Sequence, residues 1–140
     1  MLSRKADYGV RAMMDIAKRP TTTRAVVAEI AERQNIPAFY LAKIVPRLAR
    51  AGLVRTSLGA AGGIALALPA EEISLLQIIE AVDGPLELNL CSRDPQKCEH
   101  YATCSACETW RHAQAQLNQT LSATRLSDLT SDPHPKCTRR

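Results

Sequence analysis

Two closely spaced amphipathic helical stretches followed by a glycine-tipped hairpin predict a mainly α fold, a winged helix-turn-helix with a two-stranded wing. An apolar stripe on a late helical segment adds a long C-terminal dimerisation helix. The chain has 140 residues, which suits one compact domain with an appended helix. Aromatic residues make up only 4%, so the core rests on Leu, Ile, Val and Ala.

The elements follow in order. Residues 3–18 form a first helix, with Tyr8, Ala12, Met13 and Ile16 at helical spacing and Arg4, Lys5 and Arg11 toward solvent. Thr21, Thr22 and Thr23 are candidate N-caps for a second helix over 24–33, which places Val27, Ile30 and Ala31 on one face. Residues 34–36 form a turn, and Pro37 suits the first position of a third helix. That helix runs to Ala51 and stops at Gly52. Its buried side is Leu41, Ile44, Val45 and Leu48, and Pro46 removes one backbone donor and predicts a kink. Residues 53–57 and 64–68 read as strands joined by the glycine-rich turn 59–63. Ser74 caps a helix over 75–82, which Asp83, Gly84 and Pro85 end. Residues 86–104 read as irregular. A long helix covers 105–123, with Trp110, Ala113, Leu117 and Leu121 in one stripe, and 126–129 forms one more turn. The resulting division is a winged-helix domain over 1–84, a cysteine-rich loop over 85–104, a dimerisation helix and terminal turn over 105–130, and a disordered tail over 131–140.

The charge is unevenly distributed. Residues 1–60 carry eleven Lys and Arg against four Asp and Glu, a net of +7, whereas residues 61–140 carry a net of −3. A basic N-terminal half is what a phosphate-binding surface requires. On the third helix the outward set is Tyr40, Lys43, Arg47 and Arg50, and Arg55 sits at the base of the wing. Lys and Arg there reach phosphates or guanine edges of a double-stranded operator. The plainer alternative is an ordinary helical domain with a solvated basic face.

Cys91, Cys98, Cys104 and Cys107 fall within 17 residues, among Asp94, Lys97, Glu99 and His100 rather than in an apolar run. Thiolates at this density select an iron–sulfur cluster, zinc, or a metal-free thiol switch, in that order. Zinc sites usually use two short Cys knuckles, and only one is present. Cys104 and Cys107 stand one helical turn apart, so both can face one centre. His100 lies inside the loop as a further candidate, while His112, His134 and Cys137 lack partners at metal spacing. The N-terminus has no signal-like apolar region and no stretch suits a membrane helix, so the chain is expected to be cytoplasmic and not membrane-bound. No nucleophile–base pair or phosphate-cradling loop points to catalysis, so no enzyme activity is expected.

The run from Ser3 to Met13 (SRKADYGVRAM), Tyr40 to Ile44 (YLAKI), Leu48 to Val54 (LARAGLV), Gly62-Gly63 and the three-cysteine loop before Trp110 resemble the Rrf2 family of bacterial regulators, which includes the IscR and NsrR types. The resemblance implies a homodimeric winged-helix repressor or dual regulator. It also implies an iron–sulfur cluster, 2Fe-2S or 4Fe-4S, that senses redox, nitric oxide or iron status. It assigns Cys91, Cys98 and Cys104 as cluster ligands. The fourth ligand is Cys107, where IscR-like relatives have histidine, or the partner subunit's Asp7, as in NsrR-like relatives. The chain departs from the family in two places. Six residues separate the first two cysteines where many relatives have five, and Leu58 stands where the wing usually carries arginine. Two alternatives belong to other classes: a zinc-stapled or thiol-switch transcription factor without a cluster, and an electron-transfer or cluster-carrier protein.

Overall fold

The structure, a computed structural model, describes residues 2–20, 22–59 and 62–131. The first helix, α1 (Arg4–Ala17), starts at Ser3, whose hydroxyl accepts from the Ala6 amide. Ala6, Gly9, Ala12, Met13 and Ile16 form its buried face. The second helix, α2 (Val27–Gln34), begins three residues later than the sequence predicts, and no side chain caps it. The threonine caps fail for a tertiary reason. Ala25 is drawn into the sheet, where its amide and carbonyl both pair with Ile64, at 2.9 and 2.8 Å. Asn35 ends α2 in the left-handed region, with φ 50 and ψ 49.

The third helix, α3 (Ala38–Arg50), buries Leu41, Ile44 and Leu48. Pro37 precedes it with extended ψ instead of opening its first turn. Pro46 lies inside α3, which continues as one helix to Arg50. The carbonyl four residues back, which loses its donor, belongs to Ala42, and both residues are exposed. The wing strands are β1 (Val54–Ser57) and β2 (Gly63–Leu66), antiparallel with Val54 opposite Leu66. Beyond β2 the pairing survives by one bond, Ala67 amide to Leu53 carbonyl. Gly63 is required at its place: a Cβ there would stand 2.6 Å from the Ala25 carbonyl oxygen.

Helix α4 (Leu75–Asp83) starts at the predicted cap, Ser74, and the structure adds a reciprocal box with Gln77. It crosses α1 closely, since a Cβ on Gly9 would stand 2.8 Å from Val82 Cγ2. Ser3 fastens the same pair of helices by donating its hydroxyl to Asp83 at 2.5 Å. The segment read as irregular contains a single-turn helix, α5 (Leu90–Arg93), and a 3-10 turn at Pro95–Lys97. Asn89 nucleates α5 by accepting from the Ser92 amide. The long helix α6 (Cys107–Ala123) starts two residues later than predicted. After it the chain returns to the winged domain. Leu126 is fully buried, and its amide donates to the Ile73 carbonyl at 2.8 Å. The predicted tail lies outside the described residues apart from Ser131.

One charged cluster fastens α1 to α2. Asp15 on α1 is buried and accepts from Arg33 Nη2 at 2.7 Å, Arg33 Nε at 3.0 Å and Gln34 Nε2 at 2.9 Å. Burial pushes the Asp15 carboxyl up, but the bonds from Arg33 and Gln34 and the charges of Arg33 and Arg19 hold it below its ordinary value. The depressed value means this contribution is present above the unfolded pKa and is lost as pH falls through the folded one. Asp15→Asn is expected to destabilise the protein at pH 7 by roughly 1 kcal/mol, near the low end because solvent screens the partly exposed Arg33. Urea melts of both proteins should converge on acidification below about pH 4. A gap that stays constant down to pH 2 would contradict this role.

Candidate nucleic-acid interface and cysteine centre

The outward face of α3 presents Phe39, Ala42, Lys43, Pro46, Arg47 and Arg50, all exposed. Two of the predicted DNA contacts are partly engaged by the fold. Tyr40 is half-buried, its ring edge-on to Tyr8 with centroids 5.1 Å apart. Arg47 Nη1 donates to the Val82 carbonyl at 2.6 Å, satisfying a free acceptor at the end of α4. Lys43 and Arg50 make no hydrogen bond or ion pair with the described residues, which leaves their charges to solvent. Phe39, absent from the predicted set, is 58% exposed and is the large apolar side chain on this face.

Arg55 projects from the wing as predicted and is exposed. Together with Thr22, Arg24, Thr56 and Ala65 it lines a cavity of about 320 Å³ at the wing base. Arg24 also contacts the Ser57 hydroxyl. Two guanidinium groups and two hydroxyls with no carboxylate among the lining residues suit a phosphate. A neighbouring cavity of about 380 Å³ shares Arg55 and Ala65 but includes Glu71, so the anion-favouring side is the first one. Arg24 was not legible as a site residue, because its place beside Arg55 follows from the Ala25–Ile64 pairing.

The cysteines are partly gathered. Cys91 on α5 and Cys107 at the start of α6 are both buried, at 7% and 8% exposure, where α5 packs on α6. Burial pushes the Cys107 thiol up, and Cys91 and then Cys104 add to the shift, while Arg111 opposes it. Cys91 also donates to Asn89 Oδ1 at 3.2 Å. Cys98 is half-buried and Cys104 exposed. Because α6 begins only at Cys107, Cys104 is not on that helix. The Cys104 carbonyl instead accepts from the Cys107 amide across a turn, and the two thiols differ in burial. Among the described residues no three Cys, His, Asp or Glu side chains stand ready to hold a metal. His100 is exposed, and Cys137 and His134 lie outside the described residues. Asp7 lies on α1, where it pairs with Arg11 at 3.2 Å.

Gln114 fixes the approach to this centre from α6. It is buried, its amide nitrogen donates to the Leu86 carbonyl at 2.8 Å, and its oxygen accepts from the Leu88 amide at 2.7 Å. Nothing in the local sequence pattern marks it. A polar residue within a helix acquires this role only when a non-local strand of backbone meets it.

The Rrf2 profile, described as an iron-dependent transcriptional regulator, matches residues 2–132. The chain belongs to the Rrf2 family. It is 31% identical over 134 residues to protein rrf2 of Nitratidesulfovibrio vulgaris, covering 94% of this chain and 87% of that one. It is 31% identical over 131 residues to the HTH-type transcriptional regulator IscR of Aliivibrio salmonicida, covering 94% and 77%. The oxidised form of CymR from Staphylococcus aureus superimposes with a TM-score of 0.76 at 30% identity, over 96% of this chain and 98% of that one. As in other Rrf2 regulators, the winged helix and its two-stranded wing are therefore the fold of this chain. No helix among the described residues is long and apolar enough to cross a membrane.

Proposed function

We propose that this Rrf2 chain is a cytoplasmic homodimer that binds a specific DNA operator, most simply as a repressor, with its affinity set by an iron–sulfur cluster on the cysteines. The observation that carries the DNA reading is the phosphate seat of Arg24, Arg55, Thr22 and Thr56 on the wing of a helix-turn-helix whose third helix leaves Lys43 and Arg50 free. The IscR relative supports regulation of transcription as the role.

The donor set fits a cluster chemically. Four thiols lie within 17 residues, and Cys91 and Cys107 already share one buried place. Cys98 and Cys104 lie on a segment whose backbone bonds are local, such as Cys104 amide to His100 carbonyl and Tyr101 amide to Cys98 carbonyl. Local turns of this kind rearrange at small cost, so Cys98 and Cys104 can join the buried pair. When bound, a cluster supplies a redox- and nitric-oxide-reactive centre. Cys91 and Cys107 would then tie α5 to α6, and Gln114 would keep the 86–88 segment on the same helix. A second reading, a metal-free thiol switch, is favoured by the burial of Cys91 and Cys107 where α5 packs on α6 and by the likeness to oxidised CymR.

The DNA reading is tested by selecting bound duplexes from a random library with the full chain, then titrating the enriched duplex against salt. Arg24→Ala and Arg55→Ala are each expected to weaken binding on every sequence and to lower the salt slope by about one unit. Wild-type affinity and slope in both variants would remove the wing base from the interface.

A further inference from the structure

The outward ridge of α3 is apolar where it begins. Phe39 is 58% exposed, Ala42 follows three residues on and Pro46 seven, and both are exposed. None of the three side chains carries a hydrogen-bonding group. A phenylalanine turned to water leaves a large apolar area uncovered, and nothing among the described residues covers it.

The ring is nevertheless braced. Its centroid lies 4.3 Å from that of Tyr40, which packs edge-on to Tyr8 at 5.1 Å, and the Arg11 guanidinium sits 4.9 Å over Tyr8. Tyr8 and Tyr40 are half-buried and pack against the core cluster. An exposed aromatic held from behind by two others loses little freedom when it makes an intermolecular contact.

The second helix of a helix-turn-helix, here α3, lies in the major groove, with its N-terminal residues nearest the base edges. The one apolar group that base edges offer there is the thymine 5-methyl. We infer that Phe39 is a specificity-determining residue that packs against a thymine methyl in each half-site. Lys43 and Arg50 are left for guanine or phosphate. The inference rests on the proposed DNA binding and deepens it.

The test uses the full chain and the duplex enriched from a random library. Each thymidine is replaced in turn by deoxyuridine, which lacks only the methyl group. Wild type is expected to bind roughly fourfold more weakly at one thymine per half-site, the value of one buried methyl group. Phe39→Ala is expected to bind the thymidine and deoxyuridine duplexes equally while keeping the wild-type salt slope and melting temperature, since the ring is exposed. Wild type that binds all deoxyuridine duplexes as tightly as the parent overturns the inference, and this needs no variant. Full discrimination retained by Phe39→Ala also overturns it, as does loss of the dimer in that variant, which would place the ring in a protein contact. A library from which nothing is enriched overturns the DNA-binding reading itself, and this inference with it.

Discussion

Leu117→Glu is expected to convert the protein to monomers and to weaken binding to a two-half-site operator by about 10²- to 10⁴-fold. The stripe on α6 is unevenly covered within one protomer. Trp110 is 45% exposed, and Ala113, Leu117 and Leu121 are half-buried, with α4 and α5 packed on only part of the helix. Leu88 and Leu90, at 45% and 49% exposure, lie on the segment that Gln114 holds to α6 and add to the apolar surface. A second α6 is the partner that buries such a stripe symmetrically. A carboxylate at its centre would be desolvated without a counter-ion. Two winged domains held as a dimer bind two half-sites with the second contact intramolecular, and that advantage is what the variant loses. Light scattering checks the assembly and a duplex titration checks the affinity. A wild type that is already monomeric at micromolar concentration would contradict the arrangement.

Cys91→Ala, Cys98→Ala and Cys104→Ala are each expected to abolish stable cluster binding, whereas Cys137→Ala leaves it unchanged. The fourth ligand is separated by two further variants. Cys107 already shares a buried place with Cys91, and a thiolate is a softer iron ligand than a carboxylate. The partner subunit's Asp7 would first have to leave an ion pair equivalent to the 3.2 Å contact seen here with Arg11. Cys107→Ser is therefore expected to change the visible spectrum and speed cluster loss, with Asp7→Ala silent. The opposite pattern would assign Asp7 and would join the cluster directly to α1. Because α1 holds α2 through Asp15 and Tyr40 through Tyr8, cluster loss would then shift the recognition helix strongly.

How much of this was legible in the sequence depended on whether the deciding interaction was local. The Ser74 cap, the stop at Gly52 and the buried face of α3 were all readable, because each rests on residues within one or two turns. The start of α2 was misplaced because Ala25 pairs with Ile64, almost forty residues away, and no threonine preference overrides two backbone hydrogen bonds. The single-turn helix at Asn89 was missed because four residues give no periodicity to detect. At the site, Lys43, Arg50 and Arg55 stand exposed as their positions implied. Helical spacing also put Arg47 and Tyr40 on the outer face, but the carbonyl of Val82 and the ring of Tyr8 engage them. Spacing likewise gathered the four cysteines in sequence, while only the fold shows that Cys91 and Cys107 are the two that are buried.

The central claim is that the cysteines hold a cluster that sets operator affinity. Its most direct test is to purify the full chain without oxygen, determine iron and acid-labile sulfide, and titrate the same sample with its enriched duplex before and after chelation of the iron. The account predicts coloured protein with iron and sulfide in similar amounts, and a duplex affinity that changes when the iron is removed. Colourless protein that takes up stoichiometric zinc on reconstitution, or an affinity indifferent to the iron, would contradict it.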